Sequence, residues 1–242
     1  PHILAPFDSD MVVITEKEME QKGIKLILGD GVKAFSEEDS SVQVTLNSGK
    51  TLSADMIILA IGVTPDTGFL KDSGIEFGPK GHIIVNDRME TNIEGIYAVG
   101  DAIEVMDFIT GQKTAIPLAG PANKQGRIAA DNAAGLNSVY KGSQGTSILK
   151  IFNLTAASTG ANERTLQRLN MPYRTIFLHP NSHAGYYPDA LPMTIKLIFN
   201  DEGKVLGSQI IGYDGVDKRI DVIAAVIRLK GTVNDLAELE LA

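Results

Sequence analysis

Short apolar runs alternate with polar, glycine-containing segments along most of the 242-residue chain. The runs "GIKLILGDGVKAF", "SVQVTLNSGKTLSADMIILAIG" and "GHIIVNDRMETNIEGIYAVGD" are rich in β-branched residues and predict strands, with a turn at "NSGK". Residues 8–22 carry acidic residues early and lysines late, which favours a helix. "AIPLAGPANKQGRIAADNAAGL" is alanine-rich between Pro121 and Gly135 and predicts a second helix. Strands and helices that alternate in this way predict an α/β fold.

The composition changes after Tyr140, where "KGSQGTS" is typical of a linker into a separate module. Four strands are predicted beyond it, at "ILKIFNL", "RTIFLHP", "MTIKLIFN" and "KVLGSQIIG", with "DEG" as a hairpin turn between the last two. "ANERTLQRL" and "DGVDKRIDVIAAVIRLK" predict helices, so the module is expected to be α+β. An apolar stripe on the last helix is interpreted mainly as core; its members are Val222, Ile223, Val226, Ile227 and Leu229.

The segment "TNIEGIYAVGDA" suggests a ligand site at the end of a strand. Residues 96–99 are continuously apolar and predict a strand that is buried on both faces of a parallel sheet. Ligands of α/β sheets bind beyond the carboxyl ends of strands, where Gly100 would allow close backbone approach and Asp101 would offer two acceptors. A turn in which Asp101 caps the following segment explains the local sequence equally well.

The start of the alanine-rich helix is a second candidate site. Unpaired backbone N–H groups around residues 117–120 would suit an anion or an electron-rich ring edge. A helix that simply packs well is the alternative.

A third candidate is the loop "HPNSHAGYYPDALP", residues 179–192, which holds two histidines and two tyrosines. Tyr186 or Tyr187 could act as a hydrogen-bond donor or general acid, whereas the alternative places one ring in an interface and the other in solvent. The side chains of adjacent residues in an extended loop point in opposite directions, so we expect the two tyrosines to do different jobs. Pro180 excludes a regular helix that would pair His179 with His183, and no metal is expected.

Composition narrows the class of protein. The net charge is −8 from 22 basic and 30 acidic residues, which argues against nucleic-acid or acidic-membrane partners. Hydrophobic residues make up 43% of the chain and charged residues 21%, so a large core is possible. No segment has the length of a membrane span or the pattern of a secretion signal, and we expect a cytoplasmic protein. The chain has no cysteine and therefore cannot by itself perform thiol–disulfide exchange.

Five motifs together resemble one family. "TNIEGIYAVGDA" is similar to the second flavin-binding motif of flavoproteins with two dinucleotide-binding domains, and "MIILAIGVTPDT" resembles the segment that joins their NAD(P)H domain to the flavin domain. "IPLAGPANKQGR", "HAGYYPDA" and "GVDKRIDVIAAVIR" resemble the CoA-disulfide reductase and NADH oxidase branch of the pyridine nucleotide-disulfide oxidoreductases. The resemblance implies that residues 1–60 are the second half of an NAD(P)H-binding domain. Residues 61–140 would be the C-terminal half of an FAD-binding domain, and residues 146–242 the α+β dimerisation domain of a homodimer.

The resemblance also implies roles for single residues. Asp101 would accept hydrogen bonds from FAD hydroxyls, and Gly62 would line the nicotinamide side. The loop with Tyr186 and Tyr187 would cross the dimer interface toward the partner's redox cysteine and CoA. The remaining implied contacts are close backbone approaches to FAD, at Gly100, Ala102, Pro117, Leu118 and Ala119. Asn123, Lys124 and Arg127 could face CoA phosphates, or equally form a solvated helix face.

The family's glycine-rich loops and redox cysteine have no counterpart in this sequence, which contains no Gly-x-Gly-x-x-Gly. We therefore expect the C-terminal part of a longer FAD-dependent NAD(P)H oxidoreductase that reduces CoA-disulfide or a related disulfide or persulfide. An NADH oxidase that uses oxygen is the close alternative. The 242-residue chain alone is expected to be inactive, or to be a noncatalytic dimerisation module, with its apolar sheet edges exposed unless something covers them.

Overall fold

The computed structural model describes residues 2–38 and 41–241. The outer limits of the first and last predicted domains, Pro1 and Ala242, lie outside the described residues. The elements of the amino-terminal part are α1 Ser9–Gln21, β1 Val32–Glu38, β2 Ser41–Leu46, β3 Thr51–Ala54, β4 Ile83–Ile84, β5 Ile103–Met106, β6 Lys113–Thr114 and α2 Ala119–Ala133, with short 3-10 helices at Gly68–Leu70 and Gly100–Ala102. Those of the carboxyl-terminal part are β7 Ser147–Ile151, β8 Leu154–Gly160, α3 Glu163–Arg168, β9 Arg174–Leu178, β10 Met193–Phe199, β11 Val205–Gly212, α4 Val216–Arg228 and α5 Val233–Ala237.

The strands β1, β2 and β3 form an antiparallel meander. The predicted "NSGK" turn joins β2 to β3, with Gly49 at φ +86°, in the left-handed region that favours glycine. This turn is therefore confirmed. The helix predicted over residues 8–22 is also confirmed, as α1.

A second small sheet has the order β4-β5-β6, with β4 and β5 parallel. Its apolar side chains pack against Ile128 and Ala129 of α2. Asn132 of α2 donates to the carbonyl groups of Arg88 and Ser138, which fixes the carboxyl end of the helix against the neighbouring loops. This arrangement brings the start of α2 close to the segment around residue 100.

Three apolar segments differ from their predicted structure. Residues 24–28, 56–62 and 96–99 form no ladder, although Tyr97 makes a single bridge to Glu90. A strand needs a neighbour that bonds along its length, and among the described residues these segments have at most the single bridge at Tyr97. The prediction that residues 96–99 form a strand buried on both faces is therefore wrong for this chain, and Ile96 and Val99 are exposed.

The carboxyl-terminal part is a five-stranded antiparallel sheet in the order β7-β8-β11-β10-β9. The central strand β11 is buried along its whole length because both faces of the sheet are covered. Ile210 points toward α4 on one face, and Ile211 points toward α1 on the other. The helices α4 and α1 thus sandwich the sheet, which confirms the α+β module and its "DEG" hairpin.

Helix α1 packs on this carboxyl-terminal sheet through Met11 and Val12, together with Phe7 just before the helix. The assignment of residues 1–60 to one domain stays a prediction. Their first helix, α1, packs against β8 and β11 of the carboxyl-terminal sheet.

Some details of the carboxyl-terminal part were not predicted from the sequence. The chain turns at Phe152, which has φ +51°, and returns as β8. Helix α5 begins with a capping box in which the side chains of Thr232 and Asp235 bond to each other's backbone N–H groups. In the apolar stripe of α4, Ile223, Val226 and Ile227 are core, whereas Leu229 is 82% exposed because the helix ends at Arg228.

None of the helices formed by residues 2–38 and 41–241 has the length and apolarity that crossing a membrane requires.

Candidate functional site

The Gly-Asp-Ala segment forms a tight 3-10 turn that leads directly into β5. Gly100 has φ +83°, a conformation that other residues adopt only with strain. Its N–H donates to Oε1 of Gln125 on α2 over 2.8 Å. The turn leaves the side chain of Asp101 exposed, so both carboxylate oxygens can accept hydrogen bonds from a ligand.

Helix α2 begins without a side-chain cap. The capping position is Leu118, whose backbone is extended and whose side chain cannot accept a hydrogen bond. Pro121, at the third helical position, has no N–H to satisfy. The N–H groups of Ala119 and Gly120 therefore project from the helix start, where the dipole favours negative charge.

A cleft of 950 Å³ brings three of the predicted cofactor-binding residues together, namely Asp101, Ala102 and Pro117. Its other walls include residues 63–66, 77–80 and 82, and Arg168 on α3. Basic and acidic side chains both line it: Lys80, Lys113 and Arg168, and Asp66, Asp101 and Glu104. The cleft can therefore offer acceptors to hydroxyl groups and cations to anions.

The other four predicted cofactor residues lie around this cleft rather than in its wall. Gly62 is exposed at φ +102°, next to Val63 of the wall. Gly100 forms the backbone of the turn that carries Asp101. Leu118 and Ala119 line a separate hollow of 380 Å³, which Ile220 of α4 also lines. Their roles remain predictions.

The tyrosine loop lies at the end of the carboxyl-terminal sheet and is fixed at its base. Ser182 N–H donates to the Leu191 carbonyl, and Leu191 N–H donates to Ser182 Oγ. Arg219 of α4 donates to the Ser182 carbonyl over 2.7 Å. Arg219 also donates to the Gly215 carbonyl at the start of α4, so its guanidinium anchors the loop to the helix.

Tyr186 and Tyr187 contact each other, with ring centroids 4.9 Å apart. The expectation that they point in opposite directions is wrong because the loop is a turn there, closed by a hydrogen bond from Tyr187 N–H to the Ala184 carbonyl. Tyr187 also meets His183 edge-on at 6.5 Å. Both hydroxyl-bearing rings are exposed, Tyr186 by 84%, and neither lines the 950 Å³ cleft.

Sequence reasoning missed a buried ionic cluster around Lys196 of β10. Its ammonium is fully buried and lies 3.1 Å from Asp8, 2.6 Å from Asp10 and in contact with Glu163. Asp8 also accepts from the Glu163 N–H, and so caps α3. The available signal was a lysine in the middle of the apolar strand "MTIKLIFN".

The Lys196 ammonium occupies the position among these carboxylates that a metal ion would otherwise take. Among the described residues, Asp8, Asp10 and Glu163 have the spacing of metal ligands, but the lysine nitrogen lies between them. Burial lowers the pKa of Lys196, but hydrogen bonds from its ammonium to Asp10 and Glu163 outweigh burial, so the pKa is raised. Glu163 also accepts from Tyr173, which raises the pKa of that phenol.

Asn123, Lys124 and Arg127 lie on an exposed face of α2. Burial lowers the pKa of the Lys124 ammonium, as do the nearby cations of Arg228, Lys141 and Arg127. Contact of this face with CoA phosphates stays a prediction.

Comparison with known proteins defines the class. The model of the pyridine nucleotide-disulphide oxidoreductase family matches residues 1–126, and that of the family's dimerisation domain matches residues 146–240. The chain belongs to the pyridine nucleotide-disulphide oxidoreductase family. Its partial α/β dinucleotide-binding part and its α+β dimerisation domain are the fold class predicted from the sequence, which is confirmed.

Two curated relatives are similar over nearly the whole chain. The NADH oxidase of Methanocaldococcus jannaschii is 36% identical over 241 residues, which are 99% of this chain and 53% of that protein. The coenzyme A disulfide reductase of Staphylococcus epidermidis is 35% identical over 240 residues, or 97% of this chain and 53% of that protein. The chain thus spans about half the length of the curated relatives it matches.

Solved structures give the same result. The reduced CoADR-RHD of Bacillus anthracis matches with a TM-score of 0.96 and 49% identity, over 100% of this chain and 43% of that one. The NAD-dependent persulfide reductase of A. fulgidus matches with a TM-score of 0.94 and 35% identity, over 98% of this chain and 44% of that one.

Proposed function

We propose that residues 1–242 are the C-terminal part of an FAD-dependent oxidoreductase that uses NAD(P)H to reduce CoA-disulfide or a related disulfide or persulfide. The observation that carries the proposal is the cleft in which Asp101 and Ala102 face Pro117 at the start of α2. Relatives with coenzyme A disulfide reductase and persulfide reductase activity support the substrate class.

The residues around this cleft fit part of FAD. The exposed carboxylate of Asp101 suits the hydroxyls of the ribityl chain, and the small side chain of Ala102 permits close approach. The N–H groups at the start of α2 suit the electron-rich edge of the flavin ring. Nothing in the described residues resembles the glycine-rich turn on which a pyrophosphate rests, so these residues fit the ring and ribityl half only.

In the proposed reaction two electrons and two protons convert one disulfide into two thiols, while NAD(P)H loses a hydride and becomes NAD(P)+. When bound, the flavin supplies the two-electron chemistry between these partners. The residues of this chain would bind and orient the flavin. Asp101 would accept hydrogen bonds from its hydroxyl groups, and the start of α2 would stabilise negative charge on its ring. Gly62 is proposed to line the nicotinamide side.

The tyrosine loop is proposed to serve the site of a second copy in a homodimer formed through residues 146–242. Its exposed hydroxyls and its rigid base, fixed by Arg219, suit a group that donates a proton to a leaving thiolate of a CoA disulfide. The matched dimerisation domain supports this arrangement.

Reduction of oxygen is the second candidate function. The similarity to the NADH oxidase of M. jannaschii favours it. The two candidates differ in the electron acceptor and share the proposed flavin site.

The test compares the full-length protein with the 242-residue chain. We expect the full-length protein to carry flavin, to form a dimer, and to oxidise NAD(P)H anaerobically when CoA-disulfide is added. NADH oxidation that instead requires oxygen would select the oxidase. A full-length protein without flavin, or rapid turnover by the 242-residue chain, would contradict the proposal.

A further inference from the structure

Gln125 is a buried polar side chain that the sequence motifs did not single out. It lies on α2, is only 2% exposed, and accepts the Gly100 N–H over 2.8 Å. Burial of an amide costs free energy unless it is hydrogen-bonded, so this contact is needed for Gln125 to be tolerated in the core.

The turn at residues 100–102 has few other attachments. The segment before it forms no ladder, and its Ala98 N–H bonds to the Met89 carbonyl. After it, the Ile103 N–H bonds back to the Gly100 carbonyl inside the turn, and Ile103 begins β5, which pairs with β4 and not with α2. Within the described residues, Gln125 supplies the side-chain hydrogen bond that links the turn to α2.

This hydrogen bond connects the two halves of the proposed flavin site. Asp101 belongs to the turn, and the projecting N–H groups belong to the start of α2, less than two helical turns before Gln125. A helix is stiff over that length. The hydrogen bond that holds the Gly100–Ala102 segment on Gln125 therefore also fixes the distance from the Asp101 carboxylate to the start of α2. A ligand that needs both contacts would then bind to a preorganised site.

We propose that Gln125 is a positioning residue for flavin binding, which acts by holding the Gly100–Ala102 turn against α2. The inference rests on the proposed function, because it assigns Gln125 to the same site. Gln125 itself contacts the turn, and the ligand contacts come from Asp101 and the helix start.

The experiment uses the full-length protein and three variants. Q125M keeps the length of the side chain and removes the acceptor, whereas Q125E keeps an acceptor oxygen. N132L is the matched control, because Asn132 is another buried amide of α2 whose hydrogen bonds go to Arg88 and Ser138. The readouts are the flavin dissociation constant, the amide exchange rate of the peptide containing Gly100 in flavin-free protein, and the melting temperature.

We expect Q125M to bind flavin about tenfold more weakly, as loss of one buried hydrogen bond allows, and to exchange the Gly100 amide faster. Q125E should restore both values toward the wild type. N132L should lower the melting temperature and leave flavin binding and Gly100 exchange unchanged. If Q125M does not fold, Q125N is used instead. The asparagine keeps the amide group, but its side chain is one methylene too short for the oxygen to reach the Gly100 N–H.

Wild-type flavin affinity in Q125M would overturn the inference, as would an equal loss of affinity in N132L. Failure of the proposed function looks different, since the wild-type protein would then bind no flavin.

Discussion

At the scale of single residues, Asp101 is the side chain on which the proposed flavin site depends most. It follows a glycine in the left-handed conformation and is held exposed in the cleft beside Pro117. D101A in the full-length protein should weaken flavin binding by tenfold or more, since hydrogen bonds to a charged group contribute about 1.5–3 kcal/mol. Flavin content after dialysis measures the effect.

The control for Asp101 is D72A, which removes an exposed carboxylate outside the cleft. It should retain flavin as the wild type does. Normal flavin content in D101A would remove Asp101 from the site.

The paired tyrosines make a second prediction at this scale. Y186F and Y187F each remove one hydroxyl and keep the contact between the rings. If one hydroxyl donates a proton to the leaving thiolate, its loss should lower kcat for the disulfide by about 100-fold, as is usual for a general acid. Stopped-flow measurement of NADH-dependent flavin reduction should be unchanged in the same variant. Full disulfide turnover in both variants would exclude the role.

At the scale of elements, the Lys196 cluster joins α1, α3 and β10 into one unit. K196M would leave Asp8 and Glu163 without their buried countercharge. Removing one partner from a buried ion pair costs about 3–5 kcal/mol, so we expect a destabilisation of this order in chemical denaturation. K150M, which replaces an exposed lysine of β7 in the same sheet, should change stability little.

The same variant has an expected pH signature. The pKa of Lys196 is raised above its usual 10.5 and that of Tyr173 above its usual 10.0, so the native state holds both protons more tightly than the unfolded state. Their contribution is complete below these values and is lost as pH rises through the folded-state pKa values. Wild-type stability should therefore fall above about pH 10, and less steeply in K196M. Parallel curves for the two proteins would contradict this account.

Sequence reasoning succeeded where an element carries its own signal. The helix start predicted around residues 117–120 and the hairpin between β10 and β11 have local turn chemistry or periodicity, and both formed as predicted. Strand β8, "LTAASTG", was missed because its small residues carry little strand propensity. Ala156 and Ala157 are fully buried there, which lets α1 and α4 approach the two faces of the sheet.

The candidate site was predictable in part for the same reason. Gly100, Asp101 and the start of α2 form local motifs, and the structure brings Asp101 to Pro117. The contact from Gln125 to Gly100 and the cluster around Lys196 join residues far apart in sequence, from 25 positions to 186 positions. No local pattern encodes such partners, because they are set by how helices and sheets pack.

At the scale of the whole molecule, residues 56–63 form an exposed apolar segment. Met56, Ile58, Leu59, Ile61 and Val63 are between 61% and 88% exposed and form no strand. Such a continuous apolar run is costly in water, and its sequence predicts a strand rather than exposed irregular backbone. We therefore expect the segment to be covered in the full-length protein.

Methionine oxidation tests this expectation with controls inside the chain. Met56 should be oxidised by dilute peroxide rapidly in the 242-residue chain and slowly in the full-length protein, as peptide mass spectrometry would report. Met106, which is also exposed, should react in both proteins, and the buried Met89 in neither. Equal oxidation of Met56 in the two proteins would mean that nothing covers the segment, and that its apolar pattern does not encode a buried strand.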